Sequence, residues 1–503
     1  MPKLSATRVR FPSAARCLPK IAVASCLRCP YEQKRAPSDT SRAWRSLTFL
    51  LRIAYPMKYR TILLLLACLC GFSRTQAADS KPNIVLIFLD DVGYGDLGCY
   101  GSRVNKTPEI DRLAKEGQRW TSFYAAGPWC TPSRYSMMTG CHPVIAKEGY
   151  SLRKSTKVTM PTMLRKQGYA TALIGKWHLG DLRDPLNGKG QPLDHGFDYY
   201  YGTPASNDIP RPLDGRVQNY AVFSTCDKFT FPTPLIRNRE IIEMPANQEL
   251  FTQRYTKESL QFIQKNQNQP FFLYLAHNMA HAPVFASKDF QGKSIGGRYG
   301  DTIEELDWSV GQIMKTLRRL RLEDNTLVIV TSDNGPWSVF RDHAGTAFPL
   351  RGEKHSWFEG GQRVPTIVYW KGKIKPATID GIGSNMDFYA TFAALAQGNT
   401  PKNDATFSSQ DLAPALFEGK PSPRTSFLFM DAAYRSGKYK IHRRTRPFPD
   451  PRLSDVPRPK ELKHDPPLLY DLSEDQGEQT NIAGKYPKIV EQLNQEMDSL
   501  LKN

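Results

Sequence analysis

From Lys81 onward, short continuous runs of hydrophobic residues alternate with longer amphipathic segments along the chain. Short runs rich in β-branched residues are typical of strands that are buried on both faces of a sheet. Segments with apolar residues at intervals of three and four positions are typical of helices that pack one face on such a sheet. This alternation predicts parallel strands joined by helical crossovers, which is an α/β sandwich.

Four apolar runs are predicted to be central strands of the sheet: 83–89, 169–174, 271–276 and 326–330. One helix is predicted to begin at Thr107-Pro108 and to stop at Gly117, and another to end at Gly168. The clearest helical spacing predicts a helix over 302–320. These elements together predict a large, mostly parallel sheet in the first part of the chain.

The pattern changes after residue 397, where a polar stretch rich in Asn, Pro and Lys predicts a linker. It is followed by three short predicted strands, a Pro- and Arg-rich insertion and a final helix, at 426–430, 439–441, 468–471, about 443–467 and around 489–500. The sequence therefore predicts a main domain over 78–397 and a smaller C-terminal subdomain over 398–503.

The N-terminal region is typical of a targeting segment. Residues 57–77 have a basic start, an apolar run at 61–69 and small residues before a cleavage point, as secretory signal peptides do. The run is too short to cross a membrane comfortably. Residues 1–56 are then a leader that follows a misplaced start codon or lacks structure. Export to a periplasmic, extracellular or lysosome-like compartment is expected; the alternative is a bacterial lipoprotein box that would anchor Cys68 to a membrane.

Charge and cysteine content narrow the class of protein. The net charge is +19, but residues 1–77 carry twelve of these charges and the rest of the chain carries only +7. No nucleic-acid-binding motif accompanies this mild charge, so a nucleic-acid partner is not expected. Five of the nine cysteines lie in the N-terminal region. The four that remain, Cys99, Cys130, Cys141 and Cys226, are too few for a disulfide scaffold.

Polar side chains follow the predicted strands at the points where the strands end: Asp90 and Asp91, Lys176 and His178, His277 and His281, and Asp333 and Asn334. Ligands of parallel sheets bind outside the carboxyl ends of the strands, so these residues are candidates for a single site. Taken alone, Asp90-Asp91 or Asp333-Asn334 would more often be part of an ordinary turn than of a metal site. Together, the carboxylates and the amide are oxygen ligands that suit Ca²⁺ or Mg²⁺ better than zinc. The lysines and histidines, with Arg134 and Lys354, are candidate donors to a tetrahedral anion.

Cys130 precedes a predicted helix that begins near Pro132, a residue suited to a first helical turn. A cysteine at this position faces free backbone N–H groups and the positive end of the helix dipole. A buried structural cysteine is the ordinary alternative.

The segment Cys130-Thr131-Pro132-Ser133-Arg134, followed by Thr139-Gly140, resembles the signature of the type I sulfatases. Segments 89–96, 175–180, 333–335 and 359–365 also resemble sulfatase motifs, and they occur in the same order. The arylsulfatase A and N-acetylgalactosamine-6-sulfatase branch is similar at 281–287, at 298–301 and at 469–472 with Glu478 and Asn481. The similarity covers nearly the whole chain after the targeting segment.

The resemblance implies an α/β fold similar to that of alkaline phosphatase, with a large mixed sheet between helices and a small C-terminal antiparallel sheet. It also implies a sulfuric ester hydrolase in which a maturase oxidises Cys130 to Cα-formylglycine, whose hydrate is the nucleophile. Calcium, or alternatively magnesium, would be bound by Asp90, Asp91, residue 130, Asp333 and Asn334. Arg134 would stabilise the hydrate, Lys176 and Lys354 the sulfate, His281 would act as acid and His178 as base, and Ser206 would lie near the site.

Two alternatives remain open at this point. A phosphonate or phosphodiester hydrolase of the same superfamily would use the same metal and nucleophile. A non-catalytic relative that binds sulfated glycans would keep the fold. The branch resemblance favours a sulfated carbohydrate over a simple aryl sulfate as substrate, and no pattern in the sequence indicates an oligomeric state.

Overall fold

The computed structural model describes residues 81–210, 220–401, 404–446 and 461–502, which form one compact unit. The predicted signal peptide, the leader before it and Cys68 lie outside these residues. None of the helices in the described residues is both long and apolar enough to cross a membrane. The predicted boundary between residues 397 and 398 stays a prediction.

A large sheet forms the centre of the unit. Its strands in chain order are β1 (Asn83–Leu89), β2 (Gln118–Tyr124), β3 (Ala170–Lys176), β4 (Tyr199–Thr203), β5 (Leu235–Arg237), β6 (Glu240–Glu243), β7 (Phe271–Ala276), β8 (Thr326–Ser332), β9 (Thr366–Tyr369) and β10 (Ala377–Ser384). Their order across the sheet is β10-β2-β9-β8-β1-β7-β3-β4-β5-β6. The central strands β8, β1, β7, β3 and β4 are parallel, whereas β9, β5 and β6 pair antiparallel with their neighbours. The predicted mixed, mostly parallel sheet is confirmed.

Helices cover both faces of this sheet. In chain order the helices are α1 (Pro108–Glu116), α2 (Cys130–Thr139), α3 (Pro143–Ala146), α4 (Met160–Lys166), α5 (Tyr220–Thr225), α6 (Phe251–Lys265), α7 (Gly297–Arg319), α8 (Glu359–Gln362), α9 (Phe388–Leu395), α10 (Ala413–Phe417) and α11 (Pro487–Lys502). Helices α2, α4 and α9 contribute to the core on one face, and α1, α6 and α7 contribute to the core on the other.

Strand β1 explains why the central strands are apolar throughout. Ile84, Leu86 and Phe88 belong to one core, while Val85 and Ile87 belong to the core on the opposite face. All of them are fully buried. Burial of each such side chain contributes about 1.5–3 kcal/mol relative to exposure. Because both faces of β1 are buried, a polar residue on either face would lose that contribution. The strand therefore lacks the alternation of apolar and polar residues that a strand with one exposed face shows.

Helix α7 differs from its prediction, since it begins at Gly297 and ends at Arg319 instead of covering 302–320. Its first turn contains Gly297 and Gly300, which have low helix propensity and hide the start of the helix in the sequence. Asp301 accepts hydrogen bonds from the backbone N–H groups of residues 292–294 at 2.7–3.0 Å. These bonds fix the preceding loop and allow the helix to begin early.

The second sheet is antiparallel and is formed by β11 (Ser426–Phe429), β12 (Ala433–Ser436), β13 (Tyr439–Thr445) and β14 (Leu462–Asp471). Helix α11 packs on it through Val490, Leu493 and Met497. The predicted C-terminal antiparallel sheet with a helix is therefore confirmed. Strands β13 and β14 extend further than predicted, into both ends of the segment that the sequence analysis treated as an insertion.

A cluster of buried charges joins the two sheets, and we call it the inter-sheet cluster: Glu359, Arg363, Arg435, Lys440, His442 and Glu478. Lys440 Nζ lies 2.9 Å from Glu359 Oε1 and 3.1 Å from Glu478 Oε1. His442 Nε2 lies 2.6 Å from Glu478 Oε1, while the other oxygen of Glu478 accepts the backbone N–H of Glu359 at 2.7 Å. The second sheet is thus bound to the segment that precedes β9.

Candidate active site

The polar residues that follow the central strands meet at one edge of the large sheet. Asp90 and Asp91 follow β1, Asp333 follows β8 and Lys176 is the last residue of β3. Strands β8 and β3 lie close to β1 in the sheet, and all three run in the same direction. Their carboxyl ends therefore bring these side chains together, as the sequence predicted.

Cys130 is the first residue of α2, and Trp129 before it is extended. The cysteine is only 4% exposed and stands at the end of the helix where backbone N–H groups have no helical partner. Burial raises the pKa of its thiol, although Lys176 and Lys354 oppose this shift. An unmodified Cys130 is therefore a protonated thiol at neutral pH and a poor nucleophile.

Three acids and three bases form what we call the active-site cluster: Asp90, Asp91, Asp333, Arg134, Lys176 and Lys354. Each base has an acid as its nearest partner, and Arg134 also lies 3.5 Å from Asp90 Oδ2. Lys176 Nζ lies 2.5 Å from Asp90 Oδ2, Lys354 Nζ lies 2.7 Å from Asp91 Oδ1, and Arg134 Nη2 lies 2.8 Å from Asp333 Oδ2. All six side chains are at most 4% exposed. The cluster is neutral as a whole, with its charges held out of water.

Two oxygens at this site lack a hydrogen-bond partner among the described residues: Oδ1 of Asp90 and Oδ1 of Asn334. The amide of Asn334 donates its Nδ2 to Asp91 Oδ1 at 2.7 Å, which fixes its orientation. Buried polar atoms without partners cost free energy unless a ligand or an ion completes them. Oxygens of Asp90, Asp91 and Asp333 also lie within 4.8 Å of one another, so this donor set fits a hard divalent cation.

The acidities of the carboxyl groups indicate the same need for a cation. Burial raises the pKa of Asp91, and the neighbouring Asp333 raises it further against the opposing effect of Lys354. Burial and the charge of Asp90 raise the pKa of Asp333 despite Arg134. A bound Ca²⁺ or Mg²⁺ would favour the ionised form of these carboxylates, whereas zinc prefers nitrogen and sulfur ligands.

His281 and His178 complete the polar wall of the site. The Nδ1 of His281 lies 2.7 Å from the carbonyl oxygen of Ala282, and since a carbonyl only accepts, Nδ1 carries the hydrogen. Its Nε2 is left facing Asp91, 3.7 Å from Oδ2. Burial and Lys354 lower the pKa of His281, and burial and Lys176 lower that of His178. Both rings are therefore neutral at neutral pH.

Three residues at the site have a left-handed backbone, which residues other than glycine rarely adopt. Asp91, His178 and His355 have φ values of 58°, 65° and 75°. Such conformations cost of order 1–3 kcal/mol each and persist where surrounding contacts enforce them. For Asp91, the contact is a hydrogen bond from its backbone N–H to Asp333 Oδ1 at 3.1 Å. Strain stored at these positions is typical of a functional site.

The structure brings together nearly all the predicted site residues. Ser206 is buried on the loop after β4, but within the described residues it makes no hydrogen bond to the active-site cluster. His277 lies apart from the cluster and bonds Ser309 Oγ at 3.3 Å.

Several residues at the site were not predicted from the sequence. Asp208 is buried, and His281 and Lys354 act electrostatically on its carboxyl group. Tyr274 accepts a hydrogen bond from Arg134 Nη1 at 3.2 Å, and Trp337 lies under Lys354 with 4.4 Å between Nζ and the ring centre. Asp208 could have been found from its place shortly after β4. Tyr274 gives no such signal, because it lies within the apolar run of β7.

Two family models match the chain, the model named sulfatase over residues 82–398 and that of the C-terminal region of aryl-sulfatase over 425–503. The chain is 36% identical to arylsulfatase A of Bos taurus, with 84% of this chain and 88% of that protein covered. It is 36% identical to N-acetylgalactosamine-6-sulfatase of Canis lupus familiaris, with 78% and 76% covered. It is 34% identical to steryl-sulfatase of Homo sapiens, with 87% and 90% covered.

One similar solved structure comes from work on the metabolism of multiple glycosaminoglycans by Bacteroides thetaiotaomicron. It is 30% identical in sequence, its TM-score is 0.71, and the match covers 84% of this chain and all of that chain. The similarity thus extends through both sheets. With a family model that matches more than half of its length, and with a buried cluster of acids and bases around Cys130, the chain belongs to the sulfatase family and is a sulfuric ester hydrolase.

Proposed function

We propose that the protein hydrolyses sulfate esters of a sulfated carbohydrate, with formylglycine at position 130 and a calcium ion bound by Asp90, Asp91, Asp333 and Asn334. The observation that supports this proposal most is the buried active-site cluster with two unpartnered oxygens, next to a cysteine at a helix start. A bound cation would give both oxygens the partner that they lack among the described residues.

The metal would be held by the three carboxylates, by Asn334 Oδ1 and by residue 130. When bound, a divalent cation polarises sulfate oxygens and lowers the pKa of a coordinated hydroxyl group. Formylglycine supplies, as a hydrate, the hydroxyl nucleophile that a cysteine lacks. Mg²⁺ is the alternative ion, but calcium tolerates a site with several carboxylates and irregular geometry better.

Lys176, Lys354 and Arg134 would bind and orient the sulfate group. In the cluster alone their three positive charges are offset by three carboxylates. A divalent cation changes this balance to an excess of two positive charges, which favours an incoming sulfate anion. Lysine and arginine donors in a site that excludes water stabilise the charge that develops on sulfate oxygens during the reaction.

His281 and His178 would hold and move protons. His281 Nε2 is free of a hydrogen in the described tautomer, and an anionic substrate beside it would favour its protonation. The protonated ring could then donate to the leaving alcohol oxygen. His178 is neutral and therefore able to accept a proton from residue 130, which is the role of a base.

A carbohydrate substrate is favoured by two of the relatives. One relative is named for N-acetylgalactosamine 6-sulfate, and the similar structure comes from work on glycosaminoglycan metabolism. The steryl-sulfatase relative leaves a neutral, apolar alcohol as the competing class. We further propose that the protein is exported and that it depends on a formylglycine-generating maturase.

Mass spectrometry of the peptide that contains residue 130 tests the proposal directly. Conversion of cysteine to formylglycine exchanges sulfur and two hydrogens for one oxygen, so the peptide should lose about 18 Da. We expect Cys130→Ala to lower sulfate release by at least about 10³-fold with little change in stability.

Cys141→Ala is the matched control for this substitution. Cys141 is fully buried and its Sγ contacts the carbonyl oxygen of Thr139 at 3.6 Å, away from the cluster. We expect this variant to lose stability but to keep its activity per folded molecule. An active protein that contains only unmodified Cys130 would contradict the proposal.

A further inference from the structure

A cavity of about 470 Å³ lies between the start of helix α2 and the loop that follows β3. It is lined by Thr131, by residues 150, 151 and 153, and by residues 178–183. Thr131 follows Cys130 in the chain, and His178 is itself part of the lining. The cavity therefore includes the residue that the proposed function makes the base, and the residue next in the chain to the proposed nucleophile. Its volume lies within the range of about 300–1,000 Å³ that is usual for small-molecule sites.

The walls of this cavity are fixed by contacts within the protein. The backbone N–H of Leu152 donates to the carbonyl oxygen of Leu179 at 2.9 Å, and Ser151 Oγ donates to the same oxygen at 3.0 Å. Leu152 and Leu179 are each only 1% exposed. The two segments are thus bound to each other without a ligand, and the cavity is pre-formed.

The outer part of the cavity carries two arginines around one acid. Arg153 Nη2 lies 3.0 Å from Asp181 Oδ2, and Arg183 Nε lies 3.3 Å from Asp181 Oδ1. The three groups sum to one positive charge. Each guanidinium has five N–H donors, so donors remain for a ligand besides those that face Asp181. The side chains are 39% and 79% exposed, which keeps them accessible from the mouth of the cavity.

Apolar surface lies beside these charges. Tyr150 lines the cavity, and its ring contacts Trp129 edge to face with the ring centres 5.5 Å apart. Leu182 also lines the cavity and is 40% exposed. An aromatic ring and an aliphatic side chain next to guanidinium groups suit a sugar ring that carries an anionic substituent.

We propose that this cavity, which we call the Arg153–Arg183 pocket, binds the alcohol part of the substrate, and that its two arginines recognise a second anionic group on that sugar. The second group is a carboxylate or another sulfate, since a guanidinium pairs with either in the same way. The inference rests on the proposed function and narrows the substrate to a polyanionic sugar. A neutral steroid or aryl alcohol would leave the positive charge of the pocket unused.

The test compares four substrates: p-nitrophenyl sulfate, a monosulfated N-acetylhexosamine, its disulfated analogue, and a monosulfated disaccharide that contains a uronic acid. In the double variant Arg153→Gln/Arg183→Gln, we expect KM for at least one of the two substrates with a second anion to rise about tenfold while kcat stays unchanged. KM for p-nitrophenyl sulfate and for the monosulfated sugar should stay within about twofold. The substrate whose KM rises identifies the second anion as sulfate or carboxylate.

Asp181→Asn tests whether a more positive pocket binds the polyanionic substrate more tightly. This substitution raises the charge of the pocket from one to two, so KM for the same polyanionic substrate should fall. A merely structural role would raise KM for every substrate instead. Arg318→Gln is the matched control, because Arg318 lies in the last turn of α7, is 42% exposed and pairs with Glu323. It should leave all four KM values unchanged.

The outcomes separate this inference from the proposed function. If the matured wild-type protein hydrolyses none of the four substrates, the proposed function fails. If it hydrolyses p-nitrophenyl sulfate but the double variant changes no KM, or changes all of them equally, only the inference about the Arg153–Arg183 pocket is overturned.

Discussion

The active-site cluster and the inter-sheet cluster are both buried groups of acids and bases, yet they differ in how their oxygens are used. Each carboxylate oxygen of Glu359 and Glu478 has a hydrogen-bond or ion-pair partner. In the active-site cluster, Oδ1 of Asp90 has none among the described residues. All four glutamate oxygens of the inter-sheet cluster thus have partners, whereas one aspartate oxygen of the active-site cluster has none among the described residues.

The pKa of Glu359 in the inter-sheet cluster shifts in the opposite direction to the pKa values of Asp91 and Asp333 in the active-site cluster. Burial alone raises the pKa of Glu359, but Lys440, Arg363 and Arg435 more than reverse this effect and lower it to about 2. At the active site burial dominates, and the pKa values of Asp91 and Asp333 are raised. A network that favours its own ionised form stabilises the fold. A network that disfavours it needs a further cation, and this need marks the functional site.

Of the substitutions that test this difference between the clusters, we expect replacement of an acid of the active-site cluster to have the largest effect, and that effect is on catalysis. Asp333→Asn removes one charge from the proposed metal site and the ion-pair partner of Arg134 without changing the size of the side chain. We expect turnover of sulfate ester to fall about 10³-fold and the bound calcium to be lost. Calcium content by elemental analysis and initial rates measure both effects. Wild-type stoichiometry together with a wild-type rate would refute the assignment of the metal site.

The matched substitution in the inter-sheet cluster is Glu359→Gln, for which we expect a loss of stability instead of chemistry. It leaves Lys440 and Arg363 buried with too little negative charge, which costs about 3 kcal/mol of unfolding free energy. Urea unfolding measures this loss, and Glu491→Gln on the exposed face of α11 is the control. The folded variant should still bind calcium. If Glu359→Gln lost calcium but kept its full stability, the inter-sheet cluster would have the role that we assign to the active-site cluster.

A smaller effect concerns pH. Carboxyl groups with raised pKa values bind protons in competition with a metal, so the calcium affinity should fall as pH falls through those raised values. We expect the apparent Kd for calcium to rise as the pH is lowered, because burial raises the pKa values of Asp91 and Asp333. Isothermal titration calorimetry with the matured protein measures this change. A Kd that does not change with pH would show that the carboxylates are ionised without the metal.

The inter-sheet cluster should behave differently over the same range. Glu359 has a lowered pKa in the folded protein, so its contribution to stability is complete above its unfolded value of about 4.5. This contribution is lost only as the pH falls from about 4.5 through the folded value of about 2. The difference in unfolding free energy between wild type and Glu359→Gln should therefore be constant from pH 7 to pH 5.

The sequence predicted those parts of the site that depend on local pattern. Apolar runs located β1 and β8, and the polar residues at their ends located Asp90 and Asp333. Cys130 was placed correctly at a helix start because the residues that follow it are helical in pattern and proline fits a first turn. Each of these predictions needed only the chain within about ten residues of the position concerned.

The parts that the sequence did not predict depend on contacts between distant segments. Strand β9 is only four residues long and pairs antiparallel with both β8 and β2, so its own pattern does not identify its place. Lys440 and Glu359 are 81 positions apart, and a lysine in a short strand ordinarily faces solvent. The order of the sheet and the inter-sheet cluster follow from packing that no local pattern records.

Glu478 lies near the end of the chain, so its contacts can form only late in the synthesis of the protein. Lys354, which pairs with Asp91, lies in a segment that Glu478 holds at two points. The carboxylate of Glu478 accepts the backbone N–H of Glu359, and the backbone carbonyl oxygen of Glu478 accepts a hydrogen bond from Arg351 at 2.8 Å. A ribosome that adds about 5–20 residues per second needs tens of seconds to pass from Cys130 to Glu478. During that interval the nascent polypeptide lacks the contacts that Glu478 makes with the segment around Lys354, so this side of the site is completed only after the last part of the chain has been made.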